Sequence, residues 1–341
     1  MATASPLHAL PVLQADLGRV EDELRASVVA DDPFLTEVAS HLILAGGKRV
    51  RPALALTAAA TASPTMAAAS HEVLMGAVSV ELVHLGSLYH DDVMDDATTR
   101  RTVPSVNAKW GNLKAILAGD YLLATASEIA ASLGTEVAGL LASTIARLCQ
   151  GQILELQSAF DQARTEEAYL ASIDGKTASL LATACRIGGI VADLPRDQID
   201  AVTTFGRSYG MAFQIVDDLL DVTATDEALG KPAGHDLVEG TYTLPIIRTL
   251  AADGPAAAEL RTLLDRLRPI DGTLEPVHDP EAIEAARALL GTVPAVRSAL
   301  DTARAFVEEG RRALAPYAGT EAADALGAAS EHLLGTVDAV A

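Results

Sequence analysis

The sequence predicts an all-α protein that forms one large domain over residues 1–341. Hydrophobic residues make up 50% of the chain, whereas aromatic residues make up only 4%. Because Ala and Leu dominate the apolar set, this composition favours helices that pack closely through small side chains. Apolar residues also recur at three- and four-residue spacing in long segments, which is the period of a helix face.

The helices are predicted in order along the chain, with turns marked by Gly, Pro and Asp. A first helix is expected over about residues 11–30, and residues 52–70 are predicted to form a buried helix followed by a turn. A loop at 223–240 and a Pro-containing link near 268–280 bound the shorter helices that run to the end. No β structure is expected. The most strongly periodic segments span residues 71–92, 112–132, 135–160, 176–192 and 196–222.

Net charge and cysteine usage exclude several classes of function. The formal charge of −21 disfavours a nucleic-acid partner, because a polyanion would be held against the protein's own field. Cys149 and Cys185 lie in apolar helical contexts, which indicates buried free thiols in a reducing compartment. No targeting segment is evident, and residues 52–70 are unsuited to span a membrane because they are rich in Ala, Thr and Ser and contain Pro64. A cytoplasmic location without a transmembrane segment is expected.

Two acidic motifs with the same spacing follow strongly apolar helices. The first is "LYHDDVMDDATTRR" at 88–101, and the second lies within "FQIVDDLLDVTATDEALGKPAGHDL" at 213–237. Residues i and i+4 of a helix share a face, so each D-D-x-x-D places two carboxylates together, and their repulsion is relieved by a cation. Mg²⁺ fits, because it binds a few carboxylates together with waters and phosphate oxygens. The alternative is an acidic helix end that is simply solvated. The motif occurs twice, each time beside an apolar helix, which argues against this alternative.

Basic residues are scarce, and several of them lie close to these motifs. The segment "GGKRVRP" at 46–52 predicts an anion-binding turn, in which Lys48, Arg49 and Arg51 project from the turn that follows two glycines. Lys176 and Thr177 are predicted to begin a helix, where free backbone amides would add to a phosphate site. The further basic residues near the acidic motifs are Arg100, Arg101 and Lys231.

These segments together resemble the trans-type polyprenyl diphosphate synthases of the isoprenoid pathway over most of residues 40–245. The resemblance implies a helical bundle of the isoprenoid synthase type with a central apolar cavity, and a homodimer. It implies that isopentenyl diphosphate and an allylic diphosphate primer are the substrates and that Mg²⁺ is the cofactor. One departure is visible, since the family's E-G-K-x-T-L-P is "EGTYTLP" here, with Thr241 in place of a lysine. Altered affinity for the allylic substrate, more than loss of activity, is the expected consequence.

The resemblance also assigns roles to individual residues. The implied metal ligands are Asp91, Asp92 and Asp95 on one wall and Asp217, Asp218 and Asp221 on the other. The residues implied to take part in the reaction are Asp91, Asp95, Lys176, Thr177, Gln214 and Asp217. The residues implied to bind the two diphosphates are Lys48, Arg51, His84, Arg100, Arg101 and Lys231.

Product length is expected to depend on the cavity below the first acidic motif. Counting back along the helix from Asp91 gives the small residues Ser87, Gly86 and Val83, then Val80 and Ser79. Bulky groups near this place accompany short products in the family, so a medium or long all-trans polyprenyl diphosphate is expected, with a quinone side chain as its use. Small residues that merely allow close helix packing are the alternative explanation.

Other activities stay open at this point. A geranylgeranyl diphosphate synthase would share every motif. A class I terpene cyclase would share the first motif and carry a different metal motif in place of the second. A regulatory subunit of a heteromeric synthase would carry degraded acidic or basic segments, and both are intact here.

Overall fold

The structure is a computed structural model that describes residues 6–225, 233–269 and 277–338. Within these ranges the chain forms helices and one very short hairpin, which confirms the all-α prediction. The helices of the first half are α1 Pro11–Ser27, α2 Pro33–Leu44, α3 Val50–Ala59, α4 His71–Met94, α5 Val106–Trp110, α6 Asn112–Ser132 and α7 Thr135–Gln157. Those of the second half are α8 Glu166–Ile173, α9 Ser179–Val191, α10 Arg196–Thr223, α11 His235–Glu239, α12 Leu244–Ala251, α13 Pro255–Leu267, α14 Pro280–Thr292, α15 Ala295–Leu314 and α16 Glu321–Asp338. Single 3₁₀ turns lie at Pro6–Ala9 and Ala315–Tyr317.

Two local features differ from the sequence predictions. Strands β1 Thr99–Arg100 and β2 Val103–Pro104 pair antiparallel directly after α4, where no β structure was expected. The helix predicted over 176–192 begins earlier, because α8 continues through a π-helical turn at Asp174–Ala178 into α9. Both features place charged side chains at the site described below.

Helix starts follow ordinary capping chemistry. Before α2, the Asp32 carboxylate accepts a hydrogen bond of 2.9 Å from the Phe34 backbone N–H, and Pro33 occupies the first turn. Before α4, the Ser70 hydroxyl accepts from the Val73 N–H at 3.3 Å. These caps fix where the two helices begin.

The core is built around α4 and α10. Helix α4 packs against α3, α6 and α9, and α10 packs against α9 and α15. Helices α4 and α7 are each long and apolar enough to cross a membrane, judged by length and composition alone. The apolar window of α4 is 72% buried, as expected of a core helix, whereas that of α7 is only 22% buried. Cys185 is buried and Cys149 is exposed, so both thiols are free as predicted but only one is buried.

Candidate active site

The first acidic motif lies at the end of α4. Asp91 is in the last helical turn, and the backbone N–H of Asp95 donates to the Asp91 carbonyl at 2.8 Å. The i, i+4 stacking expected from the sequence is therefore present. Burial raises the pKa of Asp91, and Lys176 and Arg100 oppose that shift. Burial together with Glu239 and Asp91 raises the pKa of Asp95 to about 6.

Asp92 is more deeply buried than Asp91 and Asp95. It is fully buried, and its Oδ1 accepts hydrogen bonds from Arg100 Nε at 2.7 Å and from Arg100 Nη2 at 2.6 Å. Its Oδ2 is buried without a hydrogen-bond partner. The hairpin β1–β2 turns Arg100 back towards the helix end, and its turn residues Arg101 and Thr102 have φ of 51° and 66°. Asp92 thus holds Arg100 in place beside Asp91.

The second acidic motif lies at the end of α10, and its three aspartates differ in exposure. Asp217 is exposed, while Asp218 and Asp221 are buried. Asp221 Oδ2 accepts from the backbone N–H of Asp236 at 3.1 Å, and its Oδ1 has no hydrogen-bond partner. Burial raises the pKa of Asp236 well above its usual range, and Asp218, Asp221 and Asp217 add to the shift. Asp236 therefore belongs to the same acidic cluster.

Asp218 is the centre of a buried hydrogen-bond chain. The Tyr169 hydroxyl donates to Asp218 Oδ2 at 2.5 Å, and Gln214 Nε2 donates to Oδ1 at 2.8 Å. The Thr177 hydroxyl in turn donates to Gln214 Oε1 at 2.7 Å. Burial raises the pKa of Asp218 to about 7, against the opposing hydrogen bonds of Tyr169 and Gln214. This chain fixes the orientation of the two polar residues that the resemblance places beside the reacting carbons.

Lys176 lies beside the first acidic motif. Its Nζ donates to Glu155 of α7, and its pKa is raised because Glu155, Asp91 and Asp95 outweigh the effect of burial. The prediction that Lys176 begins a helix is wrong, since it sits in the π turn inside a continuous helical run and its backbone amide is not at a helix N-terminus. What the residue brings to the site is its ammonium group.

A close helix contact allows the π turn to approach the site. A Cβ added to Gly151 of α7 would lie 2.3 Å from the backbone nitrogen of Lys176. Only a glycine permits this distance, because any side chain would collide with backbone atoms that cannot move aside. π turns occur frequently at functional sites.

A basic pocket of about 190 Å³ lies against α4 at Glu81 and His84. Its polar lining comprises Lys48, Arg49, Arg51, Glu81, His84 and Arg101. Arg51 Nε is buried without a hydrogen-bond partner. The guanidinium of Arg101 is held in place because its Nη1 donates to the backbone carbonyls of Leu42, at 3.1 Å, and Gly46.

The electrostatics of this pocket favour an anion. Burial lowers the pKa of Arg51 to about 10, and Arg101 adds to the shift while Glu81 opposes it. Burial and the neighbouring guanidinium groups also lower the pKa of His84 well below its usual range, so its imidazole is neutral at physiological pH. Cations that disfavour one another's charged forms create a positive potential that a diphosphate would relieve.

Arg49 lines the basic pocket, but its guanidinium is bonded to two glutamates. Its Nε donates to Glu21 Oε1 at 2.5 Å and its Nη1 donates to Glu81 Oε1 at 2.9 Å. The residue is buried, and its φ of 45° as the residue before α3 turns its side chain inward. Arg49 therefore links α1, α3 and α4 at the wall of the pocket, with its guanidinium bonded to glutamates.

An apolar cavity of about 290 Å³ lies beside Asp91 and Lys176, between α4, α6 and α7. Ser87 lines it, as predicted, together with Leu123 of α6. Gly86 does not, because a Cβ added there would lie 3.0 Å from the backbone oxygen of Gly119. The prediction that Gly86 opens the cavity is wrong, and its small size serves close packing of α4 on α6. Val83 is fully buried and is also absent from the lining. The remaining lining residues are His90, Met94, Ile145, Leu148, Cys149, Gln152, Ile153 and Leu156.

The acidic motifs fit divalent metal ions that are shared with a substrate. In the part of the chain that the structure describes, no three carboxylate, imidazole or thiol groups are placed to hold one ion by themselves. Mg²⁺ is usually bound by one or two carboxylates and completed by phosphate oxygens and waters, which suits a pair such as Asp91 and Asp95. The buried Asp221 Oδ1, which has no hydrogen-bond partner, and the carboxyl groups whose pKa values are raised by burial are groups that a bound cation would stabilise.

Several residues of the site were missed by the sequence analysis. Tyr169, Asp236, Glu155 and Glu239 all face the acidic motifs. The local signals were "GHDL", which contains Asp236, and "EGTYTLP", which begins with Glu239. Tyr169 gave no signal, because a buried tyrosine in an apolar helix is usually a core residue. Lys231, predicted to bind substrate, lies outside the described residues.

Comparisons with known proteins agree with the fold and with the family that the sequence resembles. The family model described as polyprenyl synthetase matches residues 32–273. The chain is 38% identical over 303 residues to the nonaprenyl diphosphate synthase of Mycobacterium tuberculosis, covering 89% of this chain and 87% of that protein. It is 42% identical over 247 residues to heptaprenyl diphosphate synthase component 2 of Geobacillus stearothermophilus, covering 72% and 76%. The crystal structure of polyprenyl synthase from Caulobacter crescentus CB15, complexed with calcium and isoprenyl diphosphate, superposes with a TM-score of 0.86 at 30% identity, covering 96% of each chain.

Proposed function

Because the chain belongs to the polyprenyl synthetase family, we propose that it is a Mg²⁺-dependent prenyltransferase that condenses isopentenyl diphosphate with allylic diphosphates. The product proposed is a medium- or long-chain all-trans polyprenyl diphosphate, used as a quinone side-chain precursor in the cytoplasm. The observation that carries the proposal is the arrangement of two acidic motifs, a basic pocket and an apolar cavity around the end of α4. Few reactions other than prenyl transfer need all three.

The residues divide between the two substrates. Arg51, Arg101 and Lys48 hold the diphosphate of isopentenyl diphosphate, with neutral His84 as a hydrogen-bonding group beside it. Lys176 and Arg100 face the allylic diphosphate from the first acidic motif. Asp91, Asp95, Asp217 and Asp221 would hold Mg²⁺, with Asp92 and Asp218 orienting their neighbours. Bound Mg²⁺ would supply charge neutralisation for the allylic diphosphate as a leaving group.

The reaction follows from this placement. The allylic C–O bond breaks and its electron pair leaves with the diphosphate, which gives an allylic cation next to apolar walls. The double bond of isopentenyl diphosphate attacks the cation, a new C–C bond forms, and a proton is lost to the released diphosphate. Thr177 and Gln214 are held beside the reacting carbons by the Asp218 chain. The lengthened chain enters the apolar cavity lined by Ser87.

The quaternary state proposed is a homodimer. Large apolar side chains are exposed on α6 and α7, which is unusual for a monomer and typical of an interface between chains. The most exposed are Leu113 at 79%, Leu117 at 65% and Ile153 at 52%. The Geobacillus relative is named as component 2 of its synthase, so a requirement for a second, different subunit is the alternative.

One experiment tests the activity, the product and the subunit requirement. The purified chain is incubated with labelled isopentenyl diphosphate and allylic primers of two, three or four isoprene units, with Mg²⁺ or with a chelator, and products are sized by reversed-phase chromatography. Metal-dependent products longer than four units are expected from the chain alone, with a dimer mass in light scattering. Products that stop at four units would identify a geranylgeranyl diphosphate synthase, and consumption of primer without isopentenyl diphosphate would identify a cyclase. A monomer mass in light scattering would contradict the homodimer.

A further inference from the structure

Arg164, in the loop between α7 and α8, is a buried cation with unused hydrogen-bonding capacity. The residue is 5% exposed, and its Nη1 donates to the Tyr242 carbonyl at 3.0 Å. Its guanidinium carbon lies 5.5 Å from the centre of the Tyr169 ring. Its Nε and Nη2 are buried without hydrogen-bond partners. A buried guanidinium that is only partly satisfied is costly, so such a residue is expected to serve a purpose beyond packing.

Most of the groups that act on the charge of Arg164 lie at the second acidic motif. Burial lowers its pKa, while Glu155, Tyr169, Asp218 and Asp236 oppose that shift. These groups come from α7, α8, α10 and α11, so the guanidinium lies behind the second motif and acts on several of its members. The first motif has Lys176 and Arg100 as neighbouring cations. Within the described residues, the charged groups that most affect the pKa of Asp236 are all carboxylates. They are Asp218, Asp221, Asp217 and Glu239.

Arg164 also lies next to position 241. The Phe160 backbone N–H donates to the Gly240 carbonyl at 2.9 Å, and Arg164 bonds the carbonyl of Tyr242. The segment 158–164 is therefore docked on both sides of Thr241, the residue that replaces a lysine in the motif described above. A neutral threonine at 241 does not carry the positive charge that a lysine would bring to this position.

We infer that Arg164 supplies, from a different segment, the positive charge that position 241 lacks, and that it thereby supports binding of the allylic diphosphate at the second acidic motif. The inference rests on the proposed prenyltransferase function. Arg164 acts through Tyr169 and through its electrostatic field, so it is a positioning residue. A cation behind a metal-binding carboxylate cluster favours a diphosphate and disfavours a free metal ion, because like charges repel and opposite charges attract.

The test combines charge removal with charge return. Arg164→Gln keeps a donor for the Tyr242 carbonyl but removes the charge, and Arg164→Lys keeps the charge. We expect Arg164→Gln to raise KM for the allylic diphosphate about tenfold, with KM for isopentenyl diphosphate within about twofold of wild type, since a tenfold change corresponds to about 1.4 kcal/mol. Adding Thr241→Lys to Arg164→Gln should restore KM, and Arg164→Lys should stay near wild type. Calorimetry with Mg²⁺ and inorganic diphosphate should show weaker diphosphate binding, without weaker Mg²⁺ binding, in Arg164→Gln alone.

Arg287→Gln is the matched control. Arg287 Nε also donates to a backbone carbonyl, that of Val222 at 3.2 Å at the end of α10, so its loss perturbs the same region through packing. Thr241→Lys should not reverse the effect of Arg287→Gln. An unchanged allylic KM in Arg164→Gln, equal losses for both substrates, or a failure of Thr241→Lys to restore binding would each overturn the inference.

Failure of the proposed function gives a different result. A wild-type chain that makes no prenyl product refutes that function, while the calorimetric comparison with inorganic diphosphate still tests Arg164. If Arg164→Gln does not fold, as judged by circular dichroism, the double variant Arg164→Gln/Thr241→Lys tests the inference instead. A double variant that folds and binds diphosphate supports the inference that one positive charge replaces the other. A double variant that stays unfolded overturns it.

Discussion

Asp218 is expected to make the metal-free protein less stable as pH rises. Its carboxyl has a pKa of about 7 in the folded protein, raised by burial from 3.8. The folded state therefore binds more protons than the unfolded state between these values, and stability is full below about pH 4 and falls until the folded pKa is passed. The residue is 5% exposed, so solvent screening reduces the effect little.

The size of the effect follows from the two pKa values. The full shift of about three units corresponds to roughly 4 kcal/mol, and the part lost between about pH 5.5 and about pH 8 is about 2 kcal/mol. For a chain of this length that is about 3 °C in Tm. Asp218→Asn removes the titration. Its amide can still accept from Tyr169, and rotation of the Gln214 amide lets the remaining hydrogen bonds reform.

The assay is denaturant unfolding of wild type and Asp218→Asn in a chelator at the two pH values. The free energy of unfolding of Asp218→Asn, relative to that of wild type, should rise by about 2 kcal/mol between the lower and the higher pH. Mg²⁺ together with inorganic diphosphate should abolish the growth, because bound cations replace the missing protons. A wild-type pH dependence that equals that of Asp218→Asn would refute the assignment of a buried, titrating carboxylate to this position.

Three further outcomes are expected. Asp91→Ala or Asp217→Ala should lower kcat at least about 10³-fold in the prenyl transfer assay while circular dichroism stays unchanged, since each removes a charge-stabilising carboxylate; near-normal turnover would exclude the metal role. Ser87→Phe should shorten the products on chromatography because its ring enters the cavity, whereas Gly86→Phe should mainly lower Tm because it meets the backbone of α6; identical product ladders for Ser87→Phe and wild type would show that the growing chain takes another path. Gly151→Ala should destabilise the fold by about 2 kcal/mol or more in denaturant unfolding, because its Cβ would lie 2.3 Å from a backbone nitrogen of the π turn; a stability change under about 0.5 kcal/mol would contradict that contact.

Much of the fold and the pairing of carboxylates were predictable from the sequence. The apolar period predicted α6 over 112–132 and placed α10 within one residue of its end, because a helix buries a face whose spacing is fixed by its own geometry. The same geometry placed Asp91 and Asp95 together before any tertiary contact was considered. The concentration of scarce basic residues near the acidic motifs also indicated the anion pocket.

Only the tertiary structure decided the direction of each side chain. Spacing could not show that Asp92 turns inward to hold Arg100 or that Asp218 accepts from Tyr169, because these contacts depend on a hairpin and on a tyrosine from another segment. It equally could not show that Arg49 is buried between two glutamates.

The same limit explains the two residues whose roles changed most. Gly86 has the right spacing for a cavity wall, but the approach of α6 fills that space. Arg164 carries no motif, and its position behind the second acidic cluster arises from the docking of segment 158–164 on residues 240–242. The sequence by itself determined which residues share a helix face, because local backbone geometry sets that. Which neighbour each face meets is determined by long-range packing, because burial and charge depend on segments far apart in the chain.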